Sequence, residues 1–312
     1  MPAKWTAQDI PDQSGRLAVV TGANSGLGYF TVRELARAGA TVVMGCRNEA
    51  KGEEAAAKVR EAVPSAEVPV EELDLADLDS VRGFAKRMSQ QHDRLDLLVN
   101  NAGVMAPPRR LTKDGFESQF GTNHLGHYAL TGLLLRPLLS APEPRVVTVS
   151  SDAHRMGTMH FDDLQGERGY NNWRWYGQSK LANLMFCFEL QRWAIDAGSE
   201  LKSMAAHPGY AATNLQFAGP AHWYEKVVMA VGNTVFAQSA GMGALPTLYA
   251  ATVPDLAGGS FVGPDGFRGQ RGHPQLVTAA GKAYDEDAWR RLWKVSEELT
   301  GVRYDFPGAP GG

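Results

Sequence analysis

The feature of this chain that most constrains its fold is a regular alternation of short apolar runs with segments of helical periodicity. An apolar run at 16–20 ends in Thr21-Gly22, a helical segment follows at 27–38, and a second apolar run covers 40–44. A strand, a glycine turn, a helix and a strand within about thirty residues match the size of a βαβ unit. The opening of the chain therefore predicts two parallel strands joined by a helix.

The same alternation continues along the chain. Further strands are predicted at 68–73, 95–99, 145–149, 202–206 and 260–262, and further helices at 50–62, 78–91, 115–139 with a break at Pro137, 173–197, 239–251 and 283–299. Alternation of this kind specifies an α/β fold, a parallel sheet with helices on both faces. The segment 217–236 interrupts the pattern, but no linker divides the chain. We expect one domain over residues 1–312, with 1–14 as a polar lead-in.

Composition argues against several classes of protein. Hydrophobic residues make up 44% and charged residues 21% of the chain, and the net charge of −3 does not favour nucleic acid or an anionic membrane surface as a partner. The only cysteines are Cys46 and Cys187, so neither a disulfide framework nor a cysteine zinc cluster is expected. The first residues contain no apolar core of a signal peptide or membrane anchor. We therefore expect a cytoplasmic enzyme.

The turn after the first predicted strand reads TGANSGLG and is the first candidate site. Exposed N–H groups and the helix dipole at such a turn favour an anion, and glycines let the backbone approach a pyrophosphate. The spacing G-x-x-x-G-x-G differs from the G-x-G-x-x-G dinucleotide motif, and the pattern alone also fits a tight loop. In this strand–turn–helix context we interpret it as a phosphate-binding turn made by Gly22, Asn24, Ser25, Gly26, Leu27 and Gly28.

The end of the second predicted strand bears on the choice of cofactor. An acid at this place binds the ribose 2′-OH of NAD, whereas an arginine accommodates the 2′-phosphate of NADP. The chain has Arg47 here and no acid before Glu49. Arg47 therefore favours NADP(H) over NAD(H), with the alternative that it merely begins a solvated helix.

Two further strand ends add candidate cofactor contacts. Asp74, followed by Leu75, is placed to accept a hydrogen bond from an adenine amino group, or else to cap the next helix. Asn101, Ala102 and Gly103 follow the fourth strand, where small and amide residues let a cofactor come close. The sequence Asn-Asn-x-Gly is also ordinary turn chemistry.

Tyr176 and Lys180 form the candidate catalytic pair. They are four residues apart in a helical segment, so they lie one turn apart on the same face. A free phenol has a pKa of about 10 and is a poor base at neutral pH, and a fixed ammonium group nearby favours the phenolate. Taken alone, this pair also fits a contact on the surface of a helix. The catalytic interpretation depends on the motifs that precede the pair in the sequence.

Five motifs occur together in this order: TGANSGLG, NNAG at 100–103, VSS at 149–151, YGQSK at 176–180 and HPGYAAT at 207–213. With them the chain resembles the classical short-chain dehydrogenase/reductase family over nearly its whole length. The segments CRN at 46–48, TNHLGHYALT at 122–131, SSDAH at 150–154 and SKLANLMF at 179–186 are similar to its retinol dehydrogenase-like branch. The resemblance implies a Rossmann-type doubly wound sheet and an NADP(H)-dependent oxidoreductase that interconverts a carbonyl and an alcohol on a small or lipophilic substrate.

The resemblance also assigns catalytic roles. Tyr176 would be the general acid/base, and Lys180 would hold the nicotinamide ribose and lower the Tyr176 pKa. Ser151, rather than Ser150, would bond the substrate oxygen where negative charge develops. Asn123 would support a proton-relay water, although by itself it is a helix polar residue that bonds locally.

The nicotinamide end of the cofactor would lie at Pro208, Gly209 and Thr213, with Thr213 at the carboxamide. Related enzymes commonly form homodimers or homotetramers through their long central helices, which the resemblance implies here too.

The gap of 25 positions between Ser151 and Tyr176 is longer than in many family members. We interpret 154–174 as an inserted loop at the mouth of the site, which with 217–236 forms a lipophilic substrate pocket. Alternatively, its apolar residues pack the loop onto the body; they are Phe161, Leu164, Tyr170 and Trp173.

Other functions are weaker alternatives. A non-catalytic dinucleotide-sensing binding protein on the same fold would not need an intact catalytic set, and an epimerase or dehydratase of the extended branch normally has another glycine spacing. Ser151 and His154 suggest a hydrolase, but the chain has no G-x-S-x-G motif. His124 and His127 lie three apart on a predicted helix without a nearby third metal ligand, which argues against zinc.

Overall fold

One sheet of eight strands runs through the residues that the computed structural model describes, which are 4–210, 239–266 and 269–306. The strands are β1 Leu17–Thr21, β2 Thr41–Cys46, β3 Val70–Glu72, β4 Leu97–Asn100, β5 Arg145–Val149, β6 Lys202–Ala206, β7 Phe261–Pro264 and β8 Pro274–Leu276. Their order is β3-β2-β1-β4-β5-β6-β7-β8. All neighbours are parallel except β8, which pairs antiparallel with β7.

Helices cover both faces of this sheet. They are α1 Gly26–Arg37, α2 Glu49–Ala62, α3 Leu78–Gln91, α4 Ser118–Phe120, α5 Gly126–Leu133, α6 Leu135–Leu139, α7 Asn172–Asp196, α8 Ala240–Thr252 and α9 Glu286–Thr300. One apolar core joins the sheet to α3, α5, α7 and α9, and a second joins it to α1, α2 and α8. The predicted doubly wound fold is therefore confirmed. In the described part of the chain, no helix has the length and apolarity needed to span a membrane.

The long helix predicted at 115–139 differs in detail. Glu117 caps its start by accepting hydrogen bonds from two backbone N–H groups, and a π-helical turn, Gly121–Leu125, separates α4 from α5. The break comes at Leu134 rather than at Pro137, which lies inside α6. Proline lacks an N–H and its ring crowds the carbonyl four residues earlier, so the helix is interrupted one turn before the proline itself.

The strand predicted last, at 260–262, is followed by β8. Two of the three β8 residues are exposed, and the strand begins with Pro274. Three residues are too short to show a periodicity, so this prediction of the sheet edge was wrong.

The C-terminal helix α9 lies on the outer face of α7. Trp293 packs its ring against Tyr128, Phe186, Trp193 and Tyr304, with centroid distances of 5.2, 6.0, 5.5 and 4.5 Å. All of these rings but Trp193 are buried. An aromatic cluster thus closes the apolar surface of α5 and α7 with residues of the same chain.

Candidate active site

The strand order reverses between β1 and β4, and in sheets of this kind ligands bind at the carboxyl ends of the strands at such a point. A cavity of about 410 Å³, here called the turn cavity, lies there. It is lined by Gly22, Asn24, Ser25, Gly26, Leu27, Gly28, Arg47, Asn48, Lys51, Leu73, Asp74, Leu75, Asn101, Ala102, Gly103, Val104 and Thr122. The structure thus brings the predicted phosphate turn together with Arg47, Asp74, Leu75 and the Asn101–Gly103 segment.

Two glycines of the turn are required by geometry. Gly22 has φ +62°, in the left-handed region, and a Cβ on Gly28 would lie 2.4 Å from the Gly22 carbonyl oxygen. Helix α1 begins at Gly26, and the Ser25 side chain makes no capping hydrogen bond. The first N–H groups of α1 therefore face the cavity without a side-chain acceptor from Ser25, which suits an anion.

The turn after β4 is tied to the turn after β1. The Thr21 hydroxyl accepts hydrogen bonds from the backbone N–H groups of Asn101 and Ala102, both at 2.9 Å. The Asn101 side-chain amide donates back to the Thr21 carbonyl at 2.8 Å. These bonds make the two turns one wall of the cavity.

Arg47 lies exposed at the edge of this cavity, as predicted from the sequence. Asn48 and Lys51 line the cavity beside it, and neither was predicted as a site residue. Asn48 caps α2 by accepting from the Lys51 N–H at 2.9 Å, which fixes Lys51 one turn from Arg47. Among the ion pairs of the described residues, none involves Arg47 or Lys51. The four-residue spacing after Arg47 was the signal that would have found Lys51.

Asp74 lines the cavity but does not cap α3. Its carboxylate accepts from the Ala76 N–H at 3.0 Å, and the cap is Asp77, which accepts from the N–H groups of Asp79 and Ser80. The capping interpretation of Asp74 was wrong because the N-cap lies three residues later, at Asp77.

A second cavity of about 330 Å³, here called the tyrosine cavity, adjoins the first. Both are lined by Leu27, Asn101, Gly103 and Val104, so they are contiguous. The remaining residues of the tyrosine cavity are Met105, Val149, Ser150, Ser151, Asp152, Ala153, Met156, Trp173, Tyr176, Lys180, Pro208, Gly209, Tyr210 and Gln270. Thr213 and the segment 217–236 lie outside the described residues.

Tyr176 is buried on α7, and burial raises its pKa to about 12, with a hydrogen bond to Ser151 acting in the opposite direction. The phenol is therefore protonated at neutral pH. The lowered Tyr176 pKa expected from Lys180 is not found in this structure. The cost of charging a buried phenol is the larger cause of the shift, and the Ser151 hydrogen bond offsets only part of it.

Lys180 is buried one turn along α7. Its Nζ lies 5.8 Å from the Tyr176 ring centroid and donates to the Val149 carbonyl at 3.1 Å. Burial lowers the Lys180 pKa to about 8. The Asn183 amide also donates to the Val149 carbonyl, at 3.0 Å.

The two neighbouring serines have different surroundings. Ser150 is almost fully buried and donates to the Lys180 carbonyl at 2.8 Å, which joins β5 to α7. Ser151 caps a short 3-10 helix, Asp152–Arg155, and is the serine that bonds Tyr176. Of the two serines, only Ser151 has its hydroxyl in contact with the hydroxyl of Tyr176, the predicted general acid/base.

Asn123 lies in the π-helical turn with its side chain fully buried. Its carboxamide oxygen accepts from the Val104 N–H at 2.7 Å, and its NH₂ donates to the Val104 carbonyl at 3.0 Å and the Ser179 hydroxyl at 2.9 Å. Ser179 precedes Lys180 on α7. The Asn123 side chain thus connects the strand end after Gly103 to the helix of Tyr176 and Lys180.

Some apolar residues of the segment 154–174 pack the loop onto the body of the protein, and others line the candidate substrate site. Leu164 is buried and Phe161 partly so in the core around α7, and the Tyr170 hydroxyl donates to Glu117 at 2.9 Å. Trp173 lines the tyrosine cavity, as does Met156, which sequence reasoning did not single out. The Trp173 and Met156 side chains are 38% and 56% exposed, so the entrance of the tyrosine cavity presents apolar surface to solvent.

The histidines considered as metal or hydrolase residues have other partners. His154 Nδ1 bonds the backbone carbonyl of Ser151, not its hydroxyl, at 2.7 Å. His124 bonds Ser296 at 2.8 Å, whereas His127 bonds Thr21 at 2.9 Å, on a different side of the helix. Within the described residues, no three histidine, cysteine or acidic side chains are grouped to hold a metal ion.

The doubly wound sheet and the two contiguous cavities at its switch point define a protein of the dinucleotide-binding class. The family model for short chain dehydrogenase matches residues 16–220, and the chain belongs to that family of oxidoreductases.

Similar proteins support the same branch as the motifs. Human retinol dehydrogenase 14 is 40% identical over 301 residues, which cover 92% of this chain and 87% of that protein. Mouse polyprenol dehydrogenase is 41% identical over 299 residues, covering 94% and 86%. The crystal structure of an uncharacterised protein from Mycobacterium paratuberculosis has a TM-score of 0.81 and 47% identity, covering 97% of this chain and 100% of that one. The predicted retinol dehydrogenase-like relationship is confirmed.

Proposed function

We propose that this protein is a cytoplasmic NADP(H)-dependent oxidoreductase that interconverts a carbonyl and an alcohol, with Tyr176 as the general acid/base. One observation carries the proposal: a cavity lined by the glycine turn and Arg47 shares lining residues with a neighbouring cavity lined by Ser151, Tyr176 and Lys180. The glycine turn would hold the phosphates of a bound dinucleotide, and the residues around Tyr176 and Lys180 would hold its reactive ring.

The site's own residues are suited to carbonyl reduction. The bound dinucleotide supplies the hydride. Tyr176, whose pKa is raised to about 12 by burial, holds a proton at neutral pH and donates it to the carbonyl oxygen. Ser151 bonds the same oxygen while negative charge develops there. The Lys180 ammonium stabilises the phenolate that remains.

NADP(H) is favoured over NAD(H) by two cations at the turn cavity. Arg47 and Lys51 both line it, and neither has a carboxylate partner among the described residues. A 2′-phosphate beside them gains charge-assisted hydrogen bonds that a 2′-hydroxyl does not.

The substrate we propose is a neutral, largely apolar carbonyl compound or the corresponding alcohol. Met105, Met156, Trp173 and Tyr210 provide apolar surface around Tyr176. Relatives named for retinol and polyprenol support the same substrate class.

The test begins with titration of the protein with NADPH and NADH, following the fluorescence of the reduced nicotinamide. We expect the protein to bind NADPH more tightly than NADH. A screen of apolar aldehydes and ketones with NADPH then identifies the compounds that the protein reduces. Tyr176→Phe should lower kcat by at least about a hundredfold and leave NADPH affinity within about twofold, since only the proton donor is lost.

Tyr170→Phe is the matched control, because this hydroxyl bonds Glu117 and lies outside both cavities. It should retain turnover. Turnover by Tyr176→Phe would refute the assignment of the general acid. NADPH binding by the wild type without turnover of any carbonyl would favour the dinucleotide-sensing alternative.

A further inference from the structure

His127 is a buried histidine of α5 that the proposed chemistry does not use. Its side chain is 1% exposed. Its Nδ1 lies 2.9 Å from the Asn123 carbonyl oxygen and its Nε2 lies 2.9 Å from the Thr21 hydroxyl. One imidazole therefore bridges the π-helical turn and the end of β1.

The partners define the tautomer of this imidazole. A backbone carbonyl only accepts, so Nδ1 carries the hydrogen and donates it to Asn123. Nε2 then accepts from the Thr21 hydroxyl. Burial lowers the His127 pKa to about 4, which keeps the ring neutral at physiological pH.

His127 completes a continuous path of hydrogen bonds through the buried part of the site. The Thr21 hydroxyl accepts from the N–H groups of Asn101 and Ala102 and donates to His127 Nε2 at 2.9 Å, the Val99 carbonyl at 3.4 Å being a longer second acceptor. His127 donates to the Asn123 carbonyl, and the Asn123 amide donates to Ser179. Ser179 donates to the Tyr176 carbonyl at 2.8 Å.

We infer that His127 is a positioning residue that aligns the cofactor turns with the helix of Tyr176 and Lys180. The inference rests on the proposed function and adds to it a residue that touches neither cavity. No other side chain in this path joins β1 directly to the π-helical turn. Without the imidazole, the Thr21 hydroxyl and the Asn123 carbonyl each lose a buried partner, and the side-chain bridge between the end of β1 and the π-helical turn is lost.

His124 provides a comparison within the same stretch of helix. It is equally buried, but its Nε2 bonds the Ser296 hydroxyl on α9 at 2.8 Å, and its ring stacks on Phe120. His124 therefore connects the helix to the C-terminal part of the core. Replacing it removes a similar buried volume without cutting the path.

The experiment compares His127→Leu, His127→Gln and His124→Leu. NADPH affinity is measured by fluorescence, kcat and KM by turnover of an apolar carbonyl, and folding by urea denaturation. His127→Leu should weaken NADPH binding and lower kcat, each by about tenfold, with little change in the carbonyl KM. His127→Gln retains a donor and an acceptor and should recover most of both, while His124→Leu should keep both within about twofold.

His127→Phe cuts the same path with a ring of similar size and leaves the Thr21 contacts to Asn101 and Ala102 in place, and it replaces His127→Leu if that variant does not fold. Normal NADPH affinity and kcat in the path variants, or an equal loss in His124→Leu, would overturn the positioning role. If the wild type binds NADPH without turnover, the affinity measurement alone decides the role of His127. Failure of the wild type to bind any dinucleotide would refute the proposed function and this inference together.

Discussion

Burial moves the pKa values of Tyr176 and Lys180 in opposite directions, upward for the phenol and downward for the ammonium. Both shifts favour the uncharged forms, as desolvation requires. A protonated phenol and an ammonium group coexist below the Lys180 pKa of about 8. That is the pair of protonation states that carbonyl reduction needs.

The first prediction concerns pH. Lys180 is charged below about pH 8 and neutral above it, so kcat/KM for reduction should be level at lower pH and fall as pH rises through about 8. Lys180→Arg keeps the charge, because guanidinium stays protonated, and should move the decline to higher pH at a reduced rate. Steady-state reduction from pH 6 to about 10 tests this. A level profile throughout that range would contradict it.

The second prediction concerns cofactor preference. Arg47→Asp places a carboxylate where the 2′-phosphate is expected, so NADPH affinity should fall by more than about tenfold while NADH affinity stays the same or rises. Lys51→Ala should weaken NADPH binding by a smaller factor. Lys58→Ala is the control, since it removes the same charge from an exposed position of α2 outside the cavity. Equal effects of the Lys51 and Lys58 changes would argue against a specific phosphate contact.

At the scale of elements, the sequence predicted most helices and strands because each carries its own periodicity and caps. Helix α3 matches the predicted 78–91, and β5 and β6 match 145–149 and 202–206. The features that were missed depend on contacts between distant residues. The short strand β8 exists through its pairing with β7, and the π-helical turn places Asn123 against Val104 and Ser179.

The candidate site shows the same division. The glycine turn, Ser151, Tyr176 and Lys180 could be named from motifs, and the structure brings them to one place. The place of Met156 in the site could not be predicted, because it follows from which loop meets the cavity. The bridging function of His127 could not either, because it depends on the contact of α5 with the end of β1. The raised Tyr176 pKa was missed because burial is a property of the fold.

The third prediction tests α9 as an element of the core. Trp293 is 6% exposed and packs in the aromatic cluster, so Trp293→Ala should lower the free energy of unfolding by about 3–5 kcal/mol. NADPH affinity should be unchanged, since no ring of the cluster lines either cavity. Trp173→Ala, at a 38% exposed position, should change the free energy by less than about 1 kcal/mol. Urea denaturation measures both, and a similar small loss in each would contradict the role of α9.

At the scale of the whole molecule, the position of α9 bears on self-association. The resemblance implies dimers or tetramers through the central helices, but the outer face of α7 is covered by α9 of the same chain. We therefore expect light scattering to give the monomer mass of 33.8 kDa at micromolar concentration. A dimer that Ile195→Lys dissociates would show instead that the exposed end of α7 remains an interface.

The closure of the aromatic cluster also has a consequence for the nascent chain. About 110 residues separate Trp193 from Phe306, two rings that stack in the finished protein. At typical rates of synthesis, roughly 5–20 s pass between the translation of one and the other. For most of that interval α7 has been synthesised while the helix that shields it, Glu286–Thr300, has not. An apolar stripe is therefore exposed to solvent late in translation, and it is there that we expect a chaperone to bind.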